Sequence, residues 1–168
     1  MYLRMKNHIF GYANKNLERI VGNKLLKADK TLSIAESCTG GLLADRVTDI
    51  PGSSRYFKLA VVAYSNIAKI RILGIPSETI KKYGAVSKQA SLLMAKNIRR
   101  LGETDIGIGI SGIAGPGGAT KQKPVGLVYI ALSSRRKNIC KESRFSGNRR
   151  SIKYKATHEA LNMLRLHL

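Results

Sequence analysis

Thr31-Leu32-Ser33-Ile34-Ala35-Glu36-Ser37-Cys38-Thr39-Gly40-Gly41, followed by Leu42 to Thr48, is the stretch that decides the architecture. Residues 31–35 read as a short strand. Thr39-Gly40-Gly41 turns the chain into a helix over 42–48, which Pro51-Gly52 ends. A strand that runs through a small-residue turn straight into a helix is the first half of an α/β unit.

Working outward, Leu17, Ile20, Val21, Leu25 and Leu26 fall at helical spacing within 16–27, and Asp29-Lys30 breaks that helix. Residues 59–64 read as a buried strand, stopped by Ser65-Asn66, with a helix over 67–73 and a small segment over 76–83 leading into Gly84-Ala85-Val86. Ser87 is an N-cap for a helix whose inner face is Ala90, Leu93, Met94, Ile98 and Leu101. Strands are predicted over 106–110, 125–132 and 139–145, with the 115–123 loop between the first two. A closing helix begins near Arg149 and carries Ile152, Ala156, Ala160, Met163 and Leu164 on one face. Strands alternating with helices predict a single α/β domain with helices on both faces of the sheet.

The chain has 168 residues, 43% of them hydrophobic and 24% charged, so it has the composition of a globular domain rather than of a disordered segment. Cys38 and Cys140 are too few for a disulfide framework and point to a reducing compartment. No apolar run reaches the ~20 residues of a membrane span, and the first residues lack the apolar core of a signal peptide. A soluble, cytoplasmic domain with no membrane partner is expected.

Thirty Lys and Arg stand against ten Asp and Glu, a net charge of +20. Such a field attracts polyanions or small anionic substrates. Nine of the basic residues lie between Ser133 and Lys155 with only Glu142 opposing them. Phe145 and Tyr154 are the only aromatics in that stretch, a poor stacking platform, so nucleic acid is the less favoured partner.

Glu36-Ser37-Cys38-Thr39-Gly40-Gly41 sits where a strand's carboxyl end meets a helix start, the place where open α/β sheets bind ligands and where N–H groups stabilise an oxyanion. It offers three nucleophiles: Ser37, Cys38 and Thr39. The bland alternative is a helix cap built of small residues. The histidines His8, His158 and His167 lie near the chain ends, which disfavours Cys–His and Ser–His–Asp chemistry and leaves Cys38 as a small buried hydrophobe. The same scarcity gives no zinc-ligand spacing, and no metal is expected. A Ser–Lys pair is the remaining acyl-transfer option, with Lys69 as one candidate, although periodicity alone leaves that ammonium equally able to reach solvent. A second glycine-rich segment, Gly112 to Gly118, follows the 106–110 strand and can cradle phosphate without being a Walker loop.

Taken together, AESCTGGLLADRVTDIPGSS (35–54), VAYSNIAK (62–69), LGIPSETIKKYGAVSKQA (73–90), GISGIAGPGGATKQKPVG (109–126) and FSGNRR (145–150) resemble the CinA C-terminal domain family, the nicotinamide mononucleotide deamidases. The resemblance spans roughly residues 14–166 and leaves 1–13 as an N-terminal extension. It implies a three-layer α/β/α sandwich that hydrolyses the carboxamide of nicotinamide mononucleotide to nicotinate mononucleotide and ammonia, without a cofactor. It further implies Ser37 as nucleophile, Lys69 as its base and Tyr64 beside them. Glu36, Thr39, Gly40, Ser111, Gly115, Gly117, Gly118 and Arg149 become substrate-binding positions, with Glu36 or the Tyr64 ring near the pyridinium. A homo-oligomer, dimer or trimer, is also implied. The alternatives are an amidase for another small amide, or a non-catalytic basic module that binds nucleic acid.

Departures from the family pattern are Ser111 for Thr, Asn148 for Asp ahead of Arg149, and Lys153 for Arg, where a bidentate contact is lost. Lys121-Gln122 replaces a frequent Pro-Glu. The larger N-terminal domain of some members, linked to metal-dependent ADP-ribose hydrolysis, has no counterpart here, so that activity is not expected.

Overall fold

The computed structural model describes residues 16–168, so the expected 1–13 extension and its boundary lie outside the described residues. The element order is α1 (Leu17–Lys27), β1 (Leu32–Glu36), α2 (Leu42–Thr48), a 3-10 turn (Ser53–Arg55), β2 (Phe57–Val62), α3 (Asn66–Arg71), α4 (Ser77–Tyr83), α5 (Lys88–Leu101), β3 (Ile106–Gly112), β4 (Leu127–Ser134), β5 (Asn138–Arg144) and α6 (Arg149–His167). The strands form one mixed sheet in the order β2-β1-β3-β4-β5. The first three strands are parallel to one another, and β4 and β5 are antiparallel additions. The domain is the expected α/β fold.

Two apolar layers sandwich the sheet. Leu17, Val21 and Leu25 of α1, Leu43 and Val47 of α2, and Ile152, Ala156 and Leu164 of α6 pack with Ile34, Ile108 and Ile130. On the other face Met94 and Ile98 of α5 pack with Ala35, Ala63, Leu73 and Ile75. The sequence Ile106-Gly107-Ile108-Gly109-Ile110 explains the division. Alternation sends the isoleucines to the first layer and the glycines to the second. A β-carbon at Gly109 would stand 2.6 Å from Ala95 N and 2.9 Å from Met94 Cβ, so α5 lies directly on bare backbone. A buried ion pair ties the first layer together: Arg46 of α2 binds Glu18 of α1 and donates to Thr157 Oγ1 of α6 at 2.7 Å.

β2 is not the buried strand its apolar run predicts. It begins at Phe57, forms the sheet's edge and alternates between half-buried and exposed residues. Its outer flank has no strand partner among the described residues.

Candidate active site

The three parallel strands end at Glu36, Val62 and Gly112, and the site is built on those ends. At the end of β1 the chain folds into a tight turn, in which Gly40 N donates to Ser37 O at 3.1 Å. Gly40 and Gly41 both have positive φ, 63° and 93°, which lets the chain reverse into α2 without a Cβ clash. Glu36 locks this turn. Its buried carboxylate accepts from the amides of Gly41 (3.1 Å), Leu43 (3.1 Å) and Ala44 (2.8 Å), the orphan donors of the first turn of α2.

At the end of β2, Ala63 N donates to Glu36 O at 2.8 Å. Ser65 then caps α3 by accepting from Ala68 N at 3.0 Å. Lys69 is the buried residue of α3, 2% exposed, and its side chain reaches back to Ser37 just beyond β1. Its Nζ donates to Ala63 O at 2.8 Å and to Ser37 Oγ at 3.0 Å. The alternative of a lysine reaching solvent is thereby overturned. Burial lowers the Lys69 ammonium below the ordinary lysine value. A thiolate at Cys38 would oppose that shift, but burial pushes the Cys38 thiol up to about 12, so it stays neutral and inert at physiological pH.

Ser37, Cys38, Tyr64, Asn66, Lys69 and Ser111 line a cleft of about 270 Å³ together with Ala85-Val86 and the Gly112–Gly118 loop, and Arg149 closes its rim. Arg149 donates to Gly115 O and to Tyr64 Oη, both at 2.7 Å, bridging the glycine loop to the end of β2. Gly115 itself has φ 78°, and a β-carbon there would stand 2.6 Å from Val125 Cγ1. Ser111 Oγ donates to Ala85 O at 2.7 Å and so fastens the wall formed by Ala85-Val86 to the end of β3.

The structure therefore brings Ser37, Lys69, Tyr64, Ser111, Gly115, Gly117, Gly118 and Arg149 to one cleft. Three expected substrate contacts lie elsewhere. Glu36 is 1% exposed and saturated by α2 amides, so it holds the turn rather than a pyridinium. Thr39 is fully buried behind the turn and does not line the cleft, and Gly40 lies outside it below Lys153. Asn148 has a role of its own as the N-cap of α6, accepting from Ser151 N at 2.9 Å, while Arg149 is oriented by Gly115 and Tyr64. Asn66 and Ala85-Val86 are lining residues that residue-type reasoning passed over. The only sequence signal for them is their place inside the Tyr-Ser-Asn and Gly-Ala-Val segments.

Among the described residues the N–H groups of Cys38 and Thr39 have no backbone acceptor, whereas those of Gly40, Gly41, Leu43 and Ala44 are spent. A serine hydroxyl hydrogen-bonded to a desolvated amine, with the unspent Cys38 N–H beside it at the ends of parallel strands, is a set of groups chemically able to support acyl transfer. No helix among the described residues is long and apolar enough to cross a membrane.

Comparison with known proteins agrees with this architecture. Residues 14–168 match the family described as CinA C-terminal domain, and the chain belongs to that family. A CinA-like protein of Endomicrobium trichonymphae is 46% identical over 98% of this chain and 38% of its own length. A putative competence-damage inducible protein of Moorella thermoacetica is 48% identical over 96% of this chain and 39% of its own length. The chain thus spans roughly two fifths of these relatives. The crystal structure of competence/damage inducible protein CihA from Agrobacterium tumefaciens superposes with a TM-score of 0.86 at 38% identity, covering 88% of this chain and 91% of that one. A competence or damage-inducible protein from Enterobacter asburiae gives a TM-score of 0.87 at 33% identity, covering 92% and 99%.

Proposed function

We propose that this domain hydrolyses the carboxamide of nicotinamide mononucleotide through Ser37, with Lys69 as the proton carrier. The observation that carries the reading is the 3.0 Å contact between Lys69 Nζ and Ser37 Oγ inside a cleft where both are buried. Lys69, deprotonated, takes the hydroxyl proton as Ser37 Oγ attacks the carboxamide carbon. The amide of Cys38, which lines the cleft and has no backbone acceptor, holds the oxyanion. The C–N bond then breaks, Lys69 returns the proton to the departing nitrogen, and ammonia leaves. Water, giving its proton to Lys69, attacks the acyl-serine ester and releases nicotinate mononucleotide as Ser37 recovers its hydrogen.

The remaining donors of Arg149 and the Gly115–Gly118 backbone suit the substrate phosphate. The Tyr64 ring, 60% exposed at the rim, suits the cationic pyridinium. The same reading carries a homo-oligomer, either dimer or trimer.

Ammonia release from nicotinamide mononucleotide, with chelator present, tests the proposal in wild type, Ser37→Ala and Lys69→Met. Removing the base is expected to lower turnover by about 10²–10⁴-fold. Wild-type turnover in Lys69→Met would sink the dyad. A wild type silent on this nucleotide but active on another small amide would change the substrate and leave the dyad standing.

A further inference from the structure

Arg149 lines not only the cleft but also a larger groove of about 930 Å³ on its other side, together with Leu42, Asn148, Arg150, Ser151, Lys153 and Tyr154. Three cations and no carboxylate line it. Arg149 is already engaged, but Arg150 and Lys153 have no hydrogen-bond or ion-pair partner among the described residues. The Lys153 ammonium stands 3.4 Å from the point a β-carbon on Gly40 would occupy, at the seam between groove and nucleophile turn.

The groove also has an aromatic surface held in place from beneath. Tyr154 is 55% exposed, and the Arg46 guanidinium lies 4.5 Å from its ring centroid. Arg46 is itself fixed by Glu18 and Thr157, and the His158 ring stacks against Tyr154 with 6.4 Å between centroids, so the ring is positioned before a ligand arrives and offers the part these neighbours leave exposed. A pinned aromatic face next to two unpaired cations recognises a base and a phosphate. One ring and two free cations match a single nucleotide, whereas binding along a strand calls for successive rings.

We propose that this groove is a second nucleotide subsite. It takes the phosphate and base of the distal half of a dinucleotide whose proximal half lies in the Ser37–Lys69 cleft. The placing of the proximal half rests on the deamidase reading; the subsite itself does not. The cleft alone is below the usual size of small-molecule pockets, about 300–1,000 Å³, and the groove is its neighbour, with Arg149 lining both.

Calorimetric titration of the full chain tests this, using adenosine 5′-monophosphate as the probe of the subsite. Wild type is expected to bind it, with affinity falling as salt rises. Arg150→Ala weakens binding by about tenfold, and Tyr154→Leu by about fivefold or more. Each variant is first checked for an unchanged melting temperature. Nicotinamide adenine dinucleotide, titrated into the Ser37→Ala chain, is expected to bind about 10²-fold tighter than adenylate, because its halves occupy linked sites.

No adenylate binding at millimolar concentration would overturn the proposal. So would an affinity that neither variant changes, or a dinucleotide that binds no tighter than adenylate. Single-stranded DNA binding that is lost in both variants while adenylate fails to bind would replace the subsite with a strand-binding surface. The two readings fail separately. Adenylate binding by a protein inert toward nicotinamide mononucleotide sinks the deamidase alone, and ammonia release without adenylate binding sinks the subsite alone.

Discussion

Replacing Lys69 by Met keeps a four-atom unbranched stem and removes the ammonium, and the stability of the two proteins then diverges with pH in a direction the structure fixes. The unfolded lysine titrates near 10.4. In the folded protein burial lowers that value. Between the folded and unfolded values the unfolded chain binds a proton that the native protein has released, so wild-type stability rises with pH relative to Lys69→Met. The slope reaches at most about 1.36 kcal/mol per pH unit. Below the folded pKa the cost of the buried ammonium is present in full and the difference is flat. Above the unfolded pKa the cost is gone. Superimposed is a nearly pH-independent offset of about 1–3 kcal/mol against the variant, because Ala63 O loses its donor and stays buried.

Urea unfolding followed by circular dichroism, from about pH 6 to about pH 10, measures both terms. Other titrating groups, such as Tyr56 and Tyr129, cancel in the difference to first order. The activity of wild type should rise with pH through the same folded pKa, because the protonated amine cannot accept the Ser37 proton. A stability difference that stays flat up to about pH 9.5 would mean an ordinary lysine, protonated at neutral pH and unfit as a base, and would refute the argument for Lys69.

Further outcomes follow from other contacts. Glu36→Gln puts an amide donor against the α2 amides that the carboxylate accepts from, and should cost about 2–3 kcal/mol in urea titration along with most of the ammonia release. Glu18→Gln leaves the buried Arg46 without its counter-charge and should cost about 3–5 kcal/mol by the same measurement. Cys38→Ala should keep turnover within about threefold, because a thiol pushed up to about 12 supplies only ~10⁻⁵ thiolate near neutrality. A Cys38→Ala protein as inactive as Ser37→Ala would transfer the nucleophile to the thiol.

The elements were legible where local chemistry and packing agree. The α1 periodicity, the Ser87 cap and the Gly40-Gly41 turn sit where the residues place them, and so does the inner face of α5 apart from Leu101, which is exposed at the helix's last residue, where α5 runs out into the Gly102 turn. β2 was not, because Leu59-Ala60-Val61-Val62 has the same apolar run whether it lies in the middle of a sheet or at its edge, and only strand order separates the two. Glu36 misleads for a related reason. A carboxylate adjoining a nucleophile reads as a partner for a cation, and its true partners are amides five to eight residues later that meet it only once α2 has formed. Lys69 is the opposite case. The residues left its direction open and motif resemblance supplied it, while the fold brings two groups 32 positions apart to hydrogen-bond distance.

Gly107 and Gly109 do not line the cleft, yet the close packing they permit bears on how wide it opens. α5 rests on them without spacer atoms, and the chain that enters α5 is the Ala85-Val86 wall, held to the helix start through Ser87 and to β3 through Ser111. A methyl group at either glycine would act as a shim under a rigid beam: lifting the helix would draw that wall outward and loosen the Ser111–Ala85 tie. The width available to a planar substrate ring is thus gauged by the distance of closest approach between a helix and a strand, and sequence change at the mouth of the cleft is free only so long as that gauge is kept.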